Sequence, residues 1–591
     1  MRITRRTFME LCGAGVGAAV VSSGISACSG GGRGTFEHGV ASGDPLTTQV
    51  ILWTRVTPNN PDRDVTVMWE VATDADFTNL MNMDETTTNA DRDFTVKVDV
   101  TGLEAGTAYY YRFTVGSEVS TVGRTKTLPE GSVDQVKFVV FSCSNYPAGR
   151  FHVYAEAAKV EDADAALHLG DYIYEYGVGG YASQNAETLD RVSVPAEEIT
   201  SLGDYRARHA QYRGDADLQA VHAAMAMIAV WDDHEVTNDT WREGAENHQA
   251  DEGDFSERLQ AAMQAYAEWM PIRPPVDEDI STIQRNFRFG DLVNLVMLDT
   301  RLVGRDLQLD FGDFVNGIGQ VRQAEFDAAI NDPNRTLLGT AQRDWLLGQL
   351  TDDDATWHVL GQQVLMGRMT LPAPVLPSDL NDPTSAPLTF DEYLLLFELS
   401  QLQPRILAKD PTLTKKEIAF WEKNATFFAV NAPLLFEPFV PYNLDAWDGY
   451  GAERDQILQA AVDQGRNLVV LAGDTHNAWA NDLTLADGTA AGVEFATASV
   501  SSPGLEEFLG LTATADPLAA AESFEATLPF IISGLRYSNL LDRGFMTVTF
   551  TASEVTADWT YVTDIQADTY TVVESRGRSI TVDAGTNAIG T

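Results

Sequence analysis

Four short segments combine residue types that bind cations and carry protons. They are Ser142-Cys143-Ser144-Asn145, Gly170-Asp171-Tyr172-Ile173-Tyr174, Trp231-Asp232-Asp233-His234-Glu235 and Gly473-Asp474-Thr475-His476-Asn477. The third belongs to a longer acidic run that ends at Asp239. Like-charged carboxylates this close repel one another unless a cation or solvent separates them. Thiolate, phenolate, imidazole and carboxylate together make a mixed donor set suited to more than one kind of metal ion. Taken singly, each segment is a weak signal. A Gly-Asp after a strand is common, a lone buried Cys is usually packing, and the acidic run reads equally well as a solvated loop. Taken together, they form a candidate cluster of ligands and proton carriers.

Each segment follows an apolar run: Phe138–Phe141, Ala165–Leu169, Ala226–Val230 and Leu468–Ala472. Continuous apolar runs mark strands buried on both faces, and open α/β sheets collect their ligands at the C-terminal ends of such strands. The expectation is that the four ends share one sheet. Leu292–Leu298 and Trp357–Gly361 are further strands, while Phe151–Val160, Glu257–Met270, Thr340–Leu350 and Ala452–Gln464 are predicted helices. The alternation defines an α/β domain over 132–562. Residues 370–442 break the rhythm with Pro-rich turns, a helix expected at Asp391–Leu402 and an apolar stretch, Pro433–Pro441, and read as an insertion beside the site. Upstream, over 35–131, the runs Val50–Trp53, Val65–Val71, Phe94–Val100 and Tyr109–Val115 predict an antiparallel β-sandwich of immunoglobulin or fibronectin type. Residues 563–591 read as a C-terminal strand and tail.

A chain of 591 residues needs more than one core. Its net charge of −46 argues against a nucleic-acid-binding surface, because phosphate would be repelled. Residues 1–34 read as a targeting segment. Arg5-Arg6 lies in a twin-arginine pattern, and Leu11–Val21 is apolar but too short to span a bilayer. Ile25-Ser26-Ala27-Cys28 resembles a lipobox, so membrane contact is expected through a lipidated Cys28, with Ser29–Gly34 as tether. The alternative is an ordinary cleaved signal. The expected location is the periplasm or the cell surface, reached by the twin-arginine route. Cys143 is then the remaining thiol of the exported protein, which leaves no internal disulfide.

Strand-end Gly-Asp-x-x-Tyr, then Asp-His-Glu, then Gly-Asp-x-His resembles the binuclear metallophosphatases, and specifically the alkaline phosphatase D family of phosphomonoesterases and phosphodiesterases. The likeness extends through Gly39–Pro45, Trp53-Thr54-Arg55, Asp204-Tyr205-Arg206, Leu298–Arg301, Asp445–Tyr450 and Ser501-Ser502-Pro503-Gly504. The resemblance implies a four-layer α/β/β/α sandwich and an Fe(III) paired with one or two Ca²⁺ ions, zinc being less favoured. It implies Cys143, Asp171, Tyr174 and His476 as Fe(III) ligands, with Asp171 bridging. Asp233 and Asp474 are implied at the second site, with Gln363 or Gln362 supplying an amide oxygen. Oxygen donors there favour a hard cation such as Ca²⁺.

The implied reaction is hydrolysis of phosphomonoesters, phosphodiesters or both by a metal-activated water. His234 acts as general acid or electrostatic stabiliser, and Asn145 is either a phosphate contact or a loop hydrogen bond. The expected substrate is a small or polymeric phosphate ester, and the expected state a monomer. The competing reading is a lipid-anchored surface binding protein with a relic metal site. The chain departs from the family pattern in the length and apolarity of 370–442, and in the lead-in Ala224–Met227.

Overall fold

The computed structural model describes residues 33–273, 280–316, 320–376 and 386–590. Two large sheets carry the molecule. The first has nine strands. At its centre Gln135–Phe141, Ala165–His168 and Met227–Ala229 run parallel. The second has seven, and Val293–Met297, Trp357–Gly361, Asn467–Ala472 and Ala490–Ala496 run parallel within it.

The sheets pack face to face. Phe138 meets Phe289, Trp357 meets Phe550, and Phe495 meets Trp559, with ring centroids 5.0, 5.9 and 5.8 Å apart. Successive side chains of a strand point to opposite faces, and the second sheet uses both. Leu295, Met297, Val359, Val469 and Leu471 enter the core between the sheets. Val296, Leu298, Leu360, Val470 and Ala472 enter a second core with Leu346, Leu350, Ile457 and Leu458 of the helices Gly339–Asp352 and Gly451–Asp463. Burial on both faces explains why these strands are unbroken apolar runs rather than alternating ones.

Two expectations are corrected. First, the four candidate segments do not end strands of one sheet. Phe141, His168 and Ala229 end strands of the first sheet, whereas Ala472 ends a strand of the second. The site therefore lies where the C-terminal edges of two sheets meet. Buried parallel strands look alike in sequence, and nothing local says which sheet each joins.

Second, the N-terminal strands are not a self-contained pair of sheets. Val40–Gly43, Gln49–Arg55 and Thr95–Thr101 extend the nine-stranded sheet, joined by the pairing Met227↔Gly43. Val65–Ala72, Leu80–Thr88, Ala108–Val115 and Gly123–Lys126 form the opposing sheet, closed on the first over Leu52, Val67, Trp69, Val96, Tyr111 and Phe113. At the junction Asp44 accepts from Arg285 Nη2 at 2.7 Å.

The insertion is a helical hairpin, Phe390–Leu407 and Lys415–Asn431, longer than the single helix expected at 391–402. Capping boxes start both helices, Thr389 with Glu392 and Thr414 with Glu417. The antiparallel pair Thr370–Pro372 and Phe439–Pro441 closes its base. Among the described residues no helix is long and apolar enough to cross a membrane. The twin-arginine pattern and lipobox lie outside the described residues.

Candidate metal centre

The chain turns sharply as it leaves each strand. Cys143, Asp171, Asp474 and His476 all have left-handed backbones, with φ of 62, 55, 63 and 64°. That region is costly for residues with a Cβ and is retained where surrounding structure enforces it, often at functional sites. The glycines before the two aspartates permit the approach. A Cβ on Gly170, whose φ is 110°, would lie 2.4 Å from Asp232 Cβ, and one on Gly473 would lie 2.5 Å from Ser142 Cβ. The Gly-Asp pairs are thus points where strand ends touch.

Two groups of donor atoms converge, each within 4.8 Å. One is Cys143, Asp171 and His476; the other is Asp171, Asp233 and His234. Asp171 belongs to both. Its Oδ2 accepts from Tyr174 Oη at 3.0 Å, while its Oδ1 is buried without a hydrogen-bond partner. A buried carboxylate oxygen with no donor is costly, and its position in both groups suits a cation on either side. Burial, reinforced by Asp232, Asp233 and Glu235 against the opposing pull of His234, holds the Asp171 carboxyl well above the usual range. Burial and the Asp171 charge push the Cys143 thiol and Tyr174 phenol well up. These groups ionise readily only beside added positive charge, so the donor set fits metal binding.

The first group is oriented by neutral partners. His476 Nδ1 donates to the Pro503 carbonyl at 2.5 Å, which leaves Nε2 as the electron-pair donor, 3.1 Å from Tyr174 Oη. Burial lowers the His476 pKa to about 4 and keeps the ring neutral. Ser502 Oγ lies 2.7 Å from Tyr174 Oη and 3.0 Å from the Cys143 carbonyl. The Ser-Ser-Pro-Gly segment therefore aims two of the candidate ligands.

The second group is oriented by charge. Asp233 accepts from the backbone N–H groups of His234 and Asp239 at 3.0 and 2.7 Å. Although burial would raise its pKa, Arg301 and His234 hold it below the usual range. His234 Nδ1 lies 2.7 Å from Glu175 Oε2. Burial opposes the imidazolium, but Glu175, Asp233 and Asp171 override it and hold the His234 pKa well above the ordinary value. Glu175 also accepts from Asn238 N at 2.8 Å and Asn247 Nδ2 at 3.0 Å.

Sequence reasoning missed Glu175, a single acidic residue directly after Tyr174 with no periodic pattern to mark it. Glu235, in turn, is a backbone organiser. It accepts from the N–H groups of Asp171, Tyr172 and Asp232 at 3.0, 2.5 and 2.7 Å.

The other expected site residues are placed differently. Asp474 Oδ1 accepts from Arg301 Nη2 at 3.1 Å, and the buried Arg301 also binds Asp232 and Asp445. Gln363 is buried at the end of the strand Trp357–Gly361. Its Nε2 donates to the Trp231 and Leu298 carbonyls at 2.7 and 2.9 Å, and its Oε1 accepts from Thr300 Oγ1 at 2.7 Å. The amide thus ties three strand ends together through both its nitrogen and its oxygen. Gln362 Oε1 accepts from Trp447 Nε1 at 3.0 Å. Asn145 donates to the Tyr181 carbonyl at 3.3 Å, and its Oδ1 is buried without a partner.

Two facing α/β sheets, with thiol, phenol, imidazole and carboxylate donors in two groups sharing one aspartate, define a hydrolase scaffold equipped to hold metal ions. Comparison with known proteins agrees. The family model "PhoD-like phosphatase" matches residues 138–559, and that of the PhoD-like phosphatase N-terminal domain matches 24–129. Alkaline phosphatase D of Bacillus subtilis (strain 168) is 35% identical over 485 residues, covering 79% of this chain and 70% of its own. The solved structure of PhoD superposes with a TM-score of 0.72 at 29% identity, over 94% of this chain and 92% of that one. The chain belongs to the PhoD-like phosphatase family, and is a phosphoesterase by that membership.

Proposed function

We propose that this protein is an exported, metal-dependent alkaline phosphatase and phosphodiesterase whose centre holds Fe(III) beside Ca²⁺. The observation that carries the reading is Asp171, a buried carboxylate common to both donor groups, one of whose oxygens has no hydrogen-bond partner. Cys143, Asp171, Tyr174 and His476 would hold the trivalent ion, since anionic thiolate and phenolate donors suit high charge. Asp171, Asp233 and Asp474 would hold the harder divalent ion through oxygen. Such a pair supplies charge neutralisation for the phosphoryl oxygens and an acidified water.

The chain's own residues do the rest. Glu175 occupies Nδ1 of His234, so the proton at Nε2 is the one available to a departing oxygen. Asn145 lies in the strand-end loop after Cys143, and its Nδ2, which donates to the Tyr181 carbonyl, has a second N–H that would serve a phosphate oxygen. We read the sheets and helices as a four-layer α/β/β/α sandwich whose first sheet is extended by the N-terminal strands. Export through the twin-arginine pattern and anchoring at Cys28 complete the proposal.

The test is purified protein exported through its own signal, assayed on p-nitrophenyl phosphate and bis-p-nitrophenyl phosphate with Ca²⁺, alongside elemental analysis and a visible spectrum. Hydrolysis, iron and a purple tyrosinate band are expected. An inactive protein with iron bound would overturn the enzymatic reading, and an active, colourless zinc protein would overturn the metal assignment.

A further inference from the structure

Two buried arginines stand near the centre, and their guanidiniums are used differently. Arg208 donates to main-chain carbonyls, those of Val194 at 3.0 Å, Pro195 at 3.2 Å and Tyr174. Arg301, whose side chain is fully buried, donates to carboxylates alone. Its Nε binds Asp232 Oδ1, its Nη1 lies 2.9 Å from Asp445 Oδ1, and its Nη2 lies 3.1 Å from Asp474 Oδ1 and 3.9 Å from Asp233 Oδ1. These acids come from three separate segments. Asp232 and Asp233 follow the strand Met227–Ala229 of the first sheet, Asp474 follows Asn467–Ala472 of the second, and Asp445 follows Phe439–Pro441 at the base of the insertion. One planar fork thus spans the seam between the sheets.

The fork is itself held in place. Asp299 accepts from the backbone N–H groups of Arg301, Leu302 and Val303 at 2.8, 2.9 and 3.1 Å. Gln342, on the helix Gly339–Asp352, grips the Asp299 main chain at 2.8 and 2.7 Å. Arg305 reinforces the hold on Asp445. Because Asp474 Oδ1 is committed to the guanidinium, Oδ2 is the oxygen left for a cation. Burying charges in contact is costly, and a strut can be built from carbonyls, as Arg208 shows. Four carboxylates around one guanidinium therefore point to a role in arranging oxygen donors.

We propose that Arg301 is a positioning residue for the second metal ion. Its fork sets the separation and direction of Asp233 and Asp474 across the seam, and through Asp445 it ties that geometry to the base of the insertion. It acts through the carboxylates. The inference rests on the metal-dependent phosphoesterase reading and deepens it.

The experiment compares wild type, Arg301→Lys, Asp445→Asn and Arg208→Lys, each as the whole iron-loaded protein. Calcium binding is followed by titration calorimetry and by the calcium concentration that half-activates hydrolysis of bis-p-nitrophenyl phosphate, and iron by its visible band. Arg301→Lys keeps the charge but not the planar fork, so it isolates geometry. It keeps iron and the band, weakens calcium binding by about 10- to 100-fold, and regains most of the wild-type kcat at saturating calcium. Asp445→Asn releases one arm of the fork and weakens calcium binding by less. Arg208→Lys lowers Tm without moving the calcium constant. An unchanged calcium constant in Arg301→Lys, or in Asp445→Asn should Arg301→Lys not fold, overturns the inference and leaves the phosphoesterase reading standing. An equal shift in Arg208→Lys does the same. Loss of iron together with calcium in Arg301→Lys overturns its assignment to the second ion. Wild-type protein that binds no calcium, or binds both metals yet hydrolyses no ester, overturns the underlying reading instead.

Discussion

The two donor groups that share Asp171 are held by opposite means. Around Cys143 and His476 the partners are neutral: the Pro503 carbonyl, the Ser502 hydroxyl and the Tyr174 phenol. Around Asp233 and His234 they are charged, with Glu175 on the imidazole and Arg301 beside the carboxylates. Neutral hydrogen bonds set direction and are indifferent to pH over the working range. Charged partners set both direction and protonation, so that half of the site responds to pH and to ion content. A single residue, Asp171, belongs to both regimes.

The largest expected effect comes from removing that shared residue. Asp171→Asn should lower kcat/KM on the order of 10³-fold and reduce both metals in elemental analysis. Retention of both ions at full stoichiometry would sink the bridging role.

The next pair of variants separates the halves. Tyr174→Phe should abolish the visible band while calcium content is kept. Asp233→Asn should do the reverse, retaining colour and losing calcium, and each should cost about 10²-fold in rate. If both variants lose both ions equally, the halves are not separately built.

A smaller effect is expected at Glu175, which touches His234 and belongs to neither donor group. Glu175→Gln should cost about 10- to 100-fold. Because the carboxylate raises the His234 pKa, its loss should move the alkaline limb of the pH–rate profile to lower pH. An unshifted profile with lowered rate would indicate a purely structural role.

The smallest effect is on stability. Burial holds Asp232, Glu235 and Asp239 at pKa values of about 6, 7 and 8. The folded metal-free protein therefore keeps protons that the unfolded chain has released, and its stability falls as pH rises from about 4 to about 8. Bound cations favour the ionised carboxylates and oppose that fall. The chelator-induced drop in Tm should thus be greater near pH 8 than near pH 5, and an equal drop at both would contradict the carboxylate assignment.

Much of the site is legible in the chain. The apolar runs before Cys143, Asp171, Asp233 and Asp474 are strands, and the residues following them converge, because a strand buried on both faces has a one-dimensional signature. Glu175 was hidden because a single acidic residue after Tyr174 carries no periodic signal. The hydrogen bonds of Gln363 to Trp231, Leu298 and Thr300 were not legible, because an amide next to a strand end carries no local sign of its partners. The Ser502 and Pro503 contacts join positions some 330 residues from Tyr174 and 27 from His476. No local rule could pair them.

The sequence by itself determined which residues stand at strand ends and which donor chemistry they bring, since both follow from residue type and local hydrophobic pattern. Only the tertiary structure decided that these ends come from two facing sheets and that the N-terminal strands continue one of them through Gly43. Those outcomes depend on long-range pairing and burial, where the free energy of packing is shared among residues far apart in the chain.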